Sequence, residues 1–394
     1  MKAYQMFIFF GVFFTLYAGL NYLIFIRGWQ ALHNFAPKPV LIIYVTAFLI
    51  FSMSYLFMRF TAKILPPGLA DVLAFYGGLW FAAMLYFIMF ILLFDIIRLI
   101  AGSLSLYPAI ITANWAIVKA ISLAVAIIVT ITLMIAGNHN ANNLKVREVV
   151  IDVDKQVPGL SELNIAFASD IHLGHIIGEK HLTKIITQIQ NLKPDIILFP
   201  GDLVDEELQP VIQKNLGRLF TTLSAPYGIY AVTGNHEYIG GANAAVEYLS
   251  KFNISFLRDT TLLINNAFYL AGREDLSMNG FTGTKRKSLN ELLSKTDTTL
   301  PVILMDHQPI NLAEAVQNQV DLQISGHTHH GQMWPLNYAT ERIFKLSWGY
   351  KKIENSHFYV SSGAGTWGPH VRIGNHPEIV HIKLRFRQPT EKHL

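Results

Sequence analysis

Cysteine is absent from the whole chain. Its absence excludes a disulfide framework, a thiolate nucleophile and a cysteine zinc site, and it suits a reducing or an oxidising compartment equally. Charge is scarce too. Asp, Glu, Lys and Arg supply 15% of the 394 residues, and the formal net charge is +4. A protein built for DNA gathers Lys and Arg on one face or helix, whereas the basic run here is one short cluster, Lys285-Arg286-Lys287. That cluster reads as a solvated loop; its functional alternative is contact with anionic lipid heads or substrate phosphate. Nucleic acid is therefore disfavoured as a partner.

What the chain has in excess is apolar residues, 52% overall, and they are unevenly spread. Up to about Gly137 the sequence is nearly all apolar; from Asn138 onward charges, turns and alternating strands appear. The shift predicts a boundary there, with a transmembrane anchor region over residues 1–137 and a second domain over 138–394. Crossing hydrocarbon takes about 20 apolar residues. Four stretches qualify: Tyr4–Ile26, Pro39–Met58, Val72–Ile97 and Asn114–Ala136. None shows the polar stripe of a buried soluble helix, so about four transmembrane helices are expected. The first run is longer than a signal-peptide core and has no small-x-small site before Arg27, so it reads as a retained helix.

An even number of crossings puts the N-terminus and the second domain on one side. Lys2, Arg59, Lys63, Lys145 and Arg147 share that side against Arg27, Lys38 and Arg98, a count that leans towards a cytoplasmic catalytic domain. Asp95 and Arg98 stand three apart, where they could pair with each other, and Lys119 can snorkel to an interface. No charge occupies the middle of a span, so the region reads as an anchor rather than a pump. A multi-pass protein of the cell membrane, in contact with its lipids, is the expected setting.

Beyond Asn138 short apolar strands alternate with helical stretches. Glu148–Val153 alternates as a strand, and Gly178–Leu192 has a helical period. Five further strands end in polar residues. Leu163–Ala168 runs into Asp170, Asp195–Phe199 into Gly201-Asp202, and Tyr227–Thr233 into Asn235-His236. Pro301–Met305 runs into Asp306-His307, and Leu322–Ser325 into Gly326-His327-Thr328-His329. In open α/β sheets ligands bind beyond the carboxyl ends of strands. Core packing has no use for Asp, Asn or His at such positions, so the repetition points to a functional rim.

Oxygen and imidazole donors without sulfur suit Mn²⁺, Fe or Zn²⁺. Asp170 and His172 lie two apart at a strand end, where both side chains can face one ion. Asp202 has two carboxylate oxygens and can bridge two cations about 3.5–4 Å apart. Asn235 offers a neutral amide oxygen, and His307, His327 and His329 complete the set. His175 reads as a surface residue.

The ordered blocks Asp170-x-His172, Gly201-Asp202-x-x-Asp205, Gly234-Asn235-His236-Glu237, His307 and Gly326-His327-x-His329 resemble the calcineurin-like metallophosphoesterase superfamily. The resemblance runs from about Leu163 to the C-terminus. SDIHLG, GNHEY, GHTHHGQ and the late GAGTWGPHVR followed by PEI are similar to its membrane-associated bacterial branch, which includes a phosphodiesterase of lipid A precursors and cell-wall-associated phosphoesterases. The fold so implied is a four-helix transmembrane region followed by an α/β metallophosphoesterase domain, a four-layer αββα sandwich. The implied cofactors are two divalent metal ions. Asp170, His172 and His329 would hold the first, with Asp202 bridging; Asn235, His307 and His327 would hold the second. His236 would act catalytically beside the scissile phosphate, and Asp205 would orient a neighbouring ligand. No organic cofactor is implied. His330 departs from the glycine common in this branch, and a side chain there would line the substrate cleft.

Two cations joined by Asp202 would lower the pKa of a bridging water to give hydroxide near neutral pH. They would also neutralise phosphoryl oxygens as hydroxide attacks, with His236 stabilising the transition state or protonating the leaving group. The expected substrate is a phosphate ester, a phosphodiester in preference, and the anchor hints at a lipid-linked one. Trp334, Trp348 and Trp367 fall between the motifs, where packing is the first reading and a grip on an acyl chain or sugar the second. A metal-dependent nuclease is the nearest rival. A non-catalytic membrane receptor or scaffold is the second, and a transporter with a regulatory domain the third.

Overall fold

The computed structural model describes residues 3–387. They form two compact units. One comprises the chain through His139 together with Gly368–Val371; the other comprises Asn140–Trp367 and the chain from Arg372.

The first unit is helical: α1 (Ala3–Leu32), α2 (Lys38–Thr61), α3 (Pro67–Ser103), the single turn α4 (Ala109–Ala113) and α5 (Trp115–Ala141). Four of these are long and apolar enough to cross a membrane. Pro37 and Pro66 precede α2 and α3, where a ring that lacks an N–H costs the helix nothing. The helix α3 overruns its expected span. Its 37 residues amount to about 55 Å at 1.5 Å per residue, well beyond a hydrocarbon core of about 30 Å. The side of α3 that packs inward is built of small residues, Ala70, Ala74, Gly77, Gly78 and Ala82. They let backbones approach: a Cβ on Gly77 would lie 2.5 Å from the backbone nitrogen of Tyr55 on α2. Asp95 does not pair with Arg98. It accepts from Arg27 of α1 at 2.5 Å, while Arg98 stays exposed. Two helices packed together offer the carboxylate a partner that is less hydrated than one on its own exposed face.

The second unit contains twelve strands: β1 (Lys145–Val153), β2 (Glu162–Phe167), β3 (Ile196–Pro200), β4 (Ile229–Val232), β5 (Ser255–Phe256), β6 (Thr260–Ile264), β7 (Phe268–Gly272), β8 (Val302–Met305), β9 (Leu322–Ser325), β10 (Gly349–Ile353), β11 (Ser356–Val360) and β12 (Glu378–Phe386). They make two six-stranded mixed sheets, ordered β1-β12-β2-β3-β4-β5 and β10-β11-β9-β8-β7-β6. Neighbours β2, β3 and β4 are parallel, as are β7, β8 and β9.

Strand periodicity sorts the core into layers. Leu163, Ile165 and Phe167 of β2 and Ile196 and Leu198 of β3 join Ile303 and Met305 of β8 and Leu322 and Ile324 of β9 in the core between the sheets. Alternate residues face outward. Ala166, Ile197 and Phe199 pack under α6 (Glu179–Asn191) through Leu182, Ile185 and Ile189. Val302 and Leu304 pack under the short helices carrying Leu292 and Leu312. Helices outside two facing sheets give the expected four layers.

Candidate metal centre

The parallel strands of each sheet deliver their following loops to a common rim. Asp170 and His172 follow β2, Asp202 follows β3, Asn235 and His236 open a short helix after β4, His307 follows β8, and His327 and His329 follow β9. The loops interlock through the main chain: Asp170 N–H donates to the Gly201 carbonyl at 3.1 Å, and His172 N–H to the Asp202 carbonyl at 3.0 Å. Tight turning has a backbone cost. Asp170, His172, Asp202, His327 and His329 all adopt φ between 45° and 72°, a region that disfavours side chains with a Cβ and persists only where the surroundings enforce it. Close approach also demands glycine. A Cβ on Gly326 would lie 2.1 Å from Asp170 Oδ2, and one on Gly234 would lie 2.1 Å from Asp202 Oδ1.

Three groups of ligand atoms result: Asp170, His172 and His329; His172, Asp202 and His236; and Asp202, His307 and His327. Asp202 joins them. Its Oδ2 lies 3.1 Å from His307 Nε2 and 3.9 Å from His172 Nε2, while its Oδ1 accepts from the His236 N–H at 2.9 Å. Asn235 Oδ1 is 3.1 Å from His307 Nε2 and 2.8 Å from His327 Nδ1.

The donor set fits a pair of divalent cations. His307 Nδ1 lies 2.8 Å from the Pro200 carbonyl, which can only accept, so Nδ1 carries the proton. Its Nε2 faces two acceptor oxygens, Asp202 Oδ2 and Asn235 Oδ1. Burial would lower the ring, but the Asp202 carboxylate holds it well above the ordinary imidazole value, so a positive charge, proton or metal cation, belongs at that nitrogen. On the other side, Nε2 of His172 lies 3.0 Å from Nε2 of His329, and buried Asp170 Oδ2 has no hydrogen-bond partner. Arg372 donates to Nδ1 of His329, so Nε2 of that ring directs a proton at His172. Acceptors that converge in a buried site need such a proton, or a cation, among them. The ionisation of the side chains points the same way. Burial alone would raise the Asp202 carboxyl, but His307, His236 and His172 hold it well below the usual range. Burial and then neighbouring His172 push His329 well below the ordinary imidazole value.

His236 stands at the edge of the cluster, its ring edge-on to His172 with centroids 4.5 Å apart. Asp205 Oδ1 lies 2.9 Å from His236 Nδ1 and 3.4 Å from His172 Nδ1. Burial would lower His236, but Asp205 and Asp202 bring it up to about 9. All nine expected site residues thus lie at one rim.

Some neighbours carry no obvious signal in the sequence. Buried Glu237 accepts from the backbone N–H groups of Asp202, Val204 and Gly234 at 3.0, 2.9 and 2.7 Å, tying two ligand loops together. Arg372, 1% exposed, donates to the carbonyls of Gly365 and Gly363 behind His329, and Asn375 donates to the His329 carbonyl. Both Glu237 and Arg372 lie in quoted sequence blocks, and that position was their one signal.

Two expectations change, for Arg286 and His175, and His330 takes a defined place. Lys285 and Lys287 are exposed, as a solvated loop requires, but Arg286 between them turns inward: it donates to the Asp306 carboxylate at 2.8 and 3.2 Å and to the Glu274 carbonyl, because buried Asp306 needs a counter-charge. His175 is half-buried, with its ring 3.7 Å from Glu207. His330 is turned to Ser347 Oγ at 2.9 Å, with its ring against Trp348, so it lies outside the three groups of ligand atoms. Trp348 is itself engaged, donating to Glu378, whereas Trp334 and Trp367 are 45% and 50% exposed.

The profile of the calcineurin-like phosphoesterases matches residues 163–331. A metallophosphoesterase of Aquifex aeolicus is 34% identical over 61% of this chain and 92% of its own length. One of Campylobacter jejuni is 32% identical over 66% of this chain and 69% of its own. A bovine transmembrane protein with a metallophosphoesterase domain is 32% identical over 66% of this chain and 62% of its own. The chain belongs to the calcineurin-like phosphoesterase family. It is a metal-dependent phosphoesterase hydrolase, and its helices suit a multi-pass membrane protein.

Proposed function

We propose that the chain is a membrane-anchored phosphodiesterase, with residues 1–137 as the anchor and 138–394 as the catalytic domain, the latter on the cytoplasmic side. Asp170, His172 and His329 would hold one divalent cation and Asn235, His307 and His327 a second, with Asp202 shared. The observation that carries this reading is the position of Asp202, whose single Oδ2 is within 4 Å of a histidine nitrogen from each set. Bound there, such cations activate water and neutralise the phosphoryl oxygens.

The side chains do the rest. Asp205 beside Nδ1 of His236 favours the protonated ring and fixes its orientation, leaving Nε2–H to donate to a phosphoryl or leaving oxygen. Glu237 clamps the backbone on either side of Asp202 and at Gly234, so the bridging carboxylate does not reorganise during reaction. A proton donor at the edge of the site suits a phosphate ester, whose leaving alkoxide needs a proton. The anchor favours a lipid-linked diester as substrate.

The test is hydrolysis by the full chain in detergent of bis-p-nitrophenyl phosphate, p-nitrophenyl phosphate and single-stranded DNA, with Mn²⁺, Fe²⁺ or Zn²⁺ supplied after chelation. Metal-dependent cleavage of the diester above the other two is expected, with close to two metal ions per chain by elemental analysis. Preference for the monoester would overturn the diester reading. Preference for DNA would favour the nuclease, and no hydrolysis with any metal would favour a scaffold. A lipid extract from a deletion strain should accumulate a phosphorylated lipid, and protease accessibility in sealed vesicles tests the side.

A further inference from the structure

The helical unit has a half-open cavity of about 640 Å³ between α1, α2, α3 and α5, within the range of about 300–1,000 Å³ that small ligands occupy. It exists because the helices pack unevenly: α1, α2 and α3 lie directly against one another, while α5 makes no comparable close backbone approach to any of them. The walls are mostly apolar and aromatic, and reach from Asp95 to Trp80 along α3, roughly 22 Å of helix axis.

Its charges sit together. Arg27 near the end of α1, Asp95 and Arg98 near the end of α3, and Lys119 near the start of α5 all line it. In an up-and-down arrangement these positions share the end of the bundle away from Ala141. Three cations against one carboxylate leave a surplus of two positive charges. The Arg27–Asp95 pair uses one cation; Lys119 is half-buried and has no carboxylate partner among the described residues. A lysine that merely anchored the helix would turn outward to water, whereas this one faces the cavity. Lys119, one turn into α5, lies near the end of its helix, at the depth where a lipid headgroup meets the acyl region. A half-buried cation there that faces a cavity and lacks a counter-charge suits an anionic group.

We infer that this cavity holds one acidic phospholipid, its phosphate between Lys119, Arg98 and Arg27 and an acyl chain along the aromatic wall of α2 and α3. The inference rests on the helices crossing a bilayer and is independent of the substrate. An anion with no apolar tail would leave the aromatic wall empty, and a zwitterionic headgroup would bring its own cation beside the surplus charge.

The full chain in detergent micelles is titrated with phosphatidylglycerol or phosphatidylcholine and followed by native mass spectrometry. One retained phosphatidylglycerol per chain is expected, bound at least about five-fold tighter than phosphatidylcholine, since each basic residue near a membrane surface is worth about a factor of five for an acidic lipid. Lys119→Gln and Arg98→Gln should each lose that factor for phosphatidylglycerol alone, Ser122→Phe should weaken both lipids by filling the cavity, and Lys63→Gln, at the other end of the bundle, should change neither. Equal binding of the two lipids by the unaltered chain overturns the inference, and needs no variant to fold. So does displacement of the lipid by millimolar inorganic phosphate, or wild-type lipid binding by Lys119→Gln.

Discussion

On the helical unit the exposed side chains include Ile42, Ile43, Leu99 and Ile128, each more than half exposed, whereas the side chains buried in the sandwich include Arg372, Asp170 and His307. The two units are built for different surroundings. Apolar surface on α1 to α5 suits hydrocarbon, where backbone groups must be satisfied within the helix. In the sandwich the apolar layers between and outside the sheets supply the folding energy, and part of it sustains strained, polar loops at the rim. Glycine marks both units in the same way and for different ends: Gly77 admits a neighbouring helix, and Gly326 admits a carboxylate.

The sharpest break of that contrast would come from chemistry in the sandwich. Asp202→Asn or His236→Ala should lower turnover at least about 100-fold while leaving the helical unit intact by circular dichroism; wild-type turnover in either purified variant removes that residue from the mechanism. Next in size, Gly326→Ala forces a Cβ against Asp170 Oδ2. It should cost roughly 3 kcal/mol of sandwich stability and lower bound metal, read by elemental analysis beside a thermal melt. The matched change, Gly77→Val, should loosen α2 from α3 and leave metal content unchanged; a loss of metal there would erase the contrast. Glu237→Gln should cost about 2 kcal/mol, because an amide offers one acceptor where a carboxylate serves three N–H groups. Unchanged melting would show that the clamp is dispensable.

The smallest expected effect is a pH dependence. His181 is buried beside the Ala364 carbonyl, and burial holds it below the ordinary imidazole value of 6.5. The unfolded chain therefore binds the proton more readily than the folded one. Stability from this group is complete above 6.5 and declines as the pH falls below it towards the lower folded value. Melts of the wild type should fall more steeply with acidification below 6.5 than those of His181→Gln, and parallel curves would remove His181 from the balance.

Much of the rim was legible because a parallel strand must release its chain at one end. Strand boundaries near Asp170, Asp202, Asn235, His307 and His327 follow from short apolar runs that stop at polar residues. The Arg286–Asp306 pair was not legible: a basic triplet looks the same whether it faces water or a buried carboxylate. Nor was the Arg27–Asp95 pair, since spacing within α3 favoured Arg98 and the competing partner lies 68 positions away.

Composition and periodicity alone determined where the apolar helices and alternating strands lie, and which residue types end the strands, because hydrophobic burial and strand pleating act over a few neighbouring residues. Tertiary structure decided which nitrogen faces which oxygen, that Glu237 clamps the Asp202 loop, and that α5 stands away from its neighbours. Those outcomes depend on packing between segments distant in the chain, where a displacement of an ångström changes a contact and no local pattern records it.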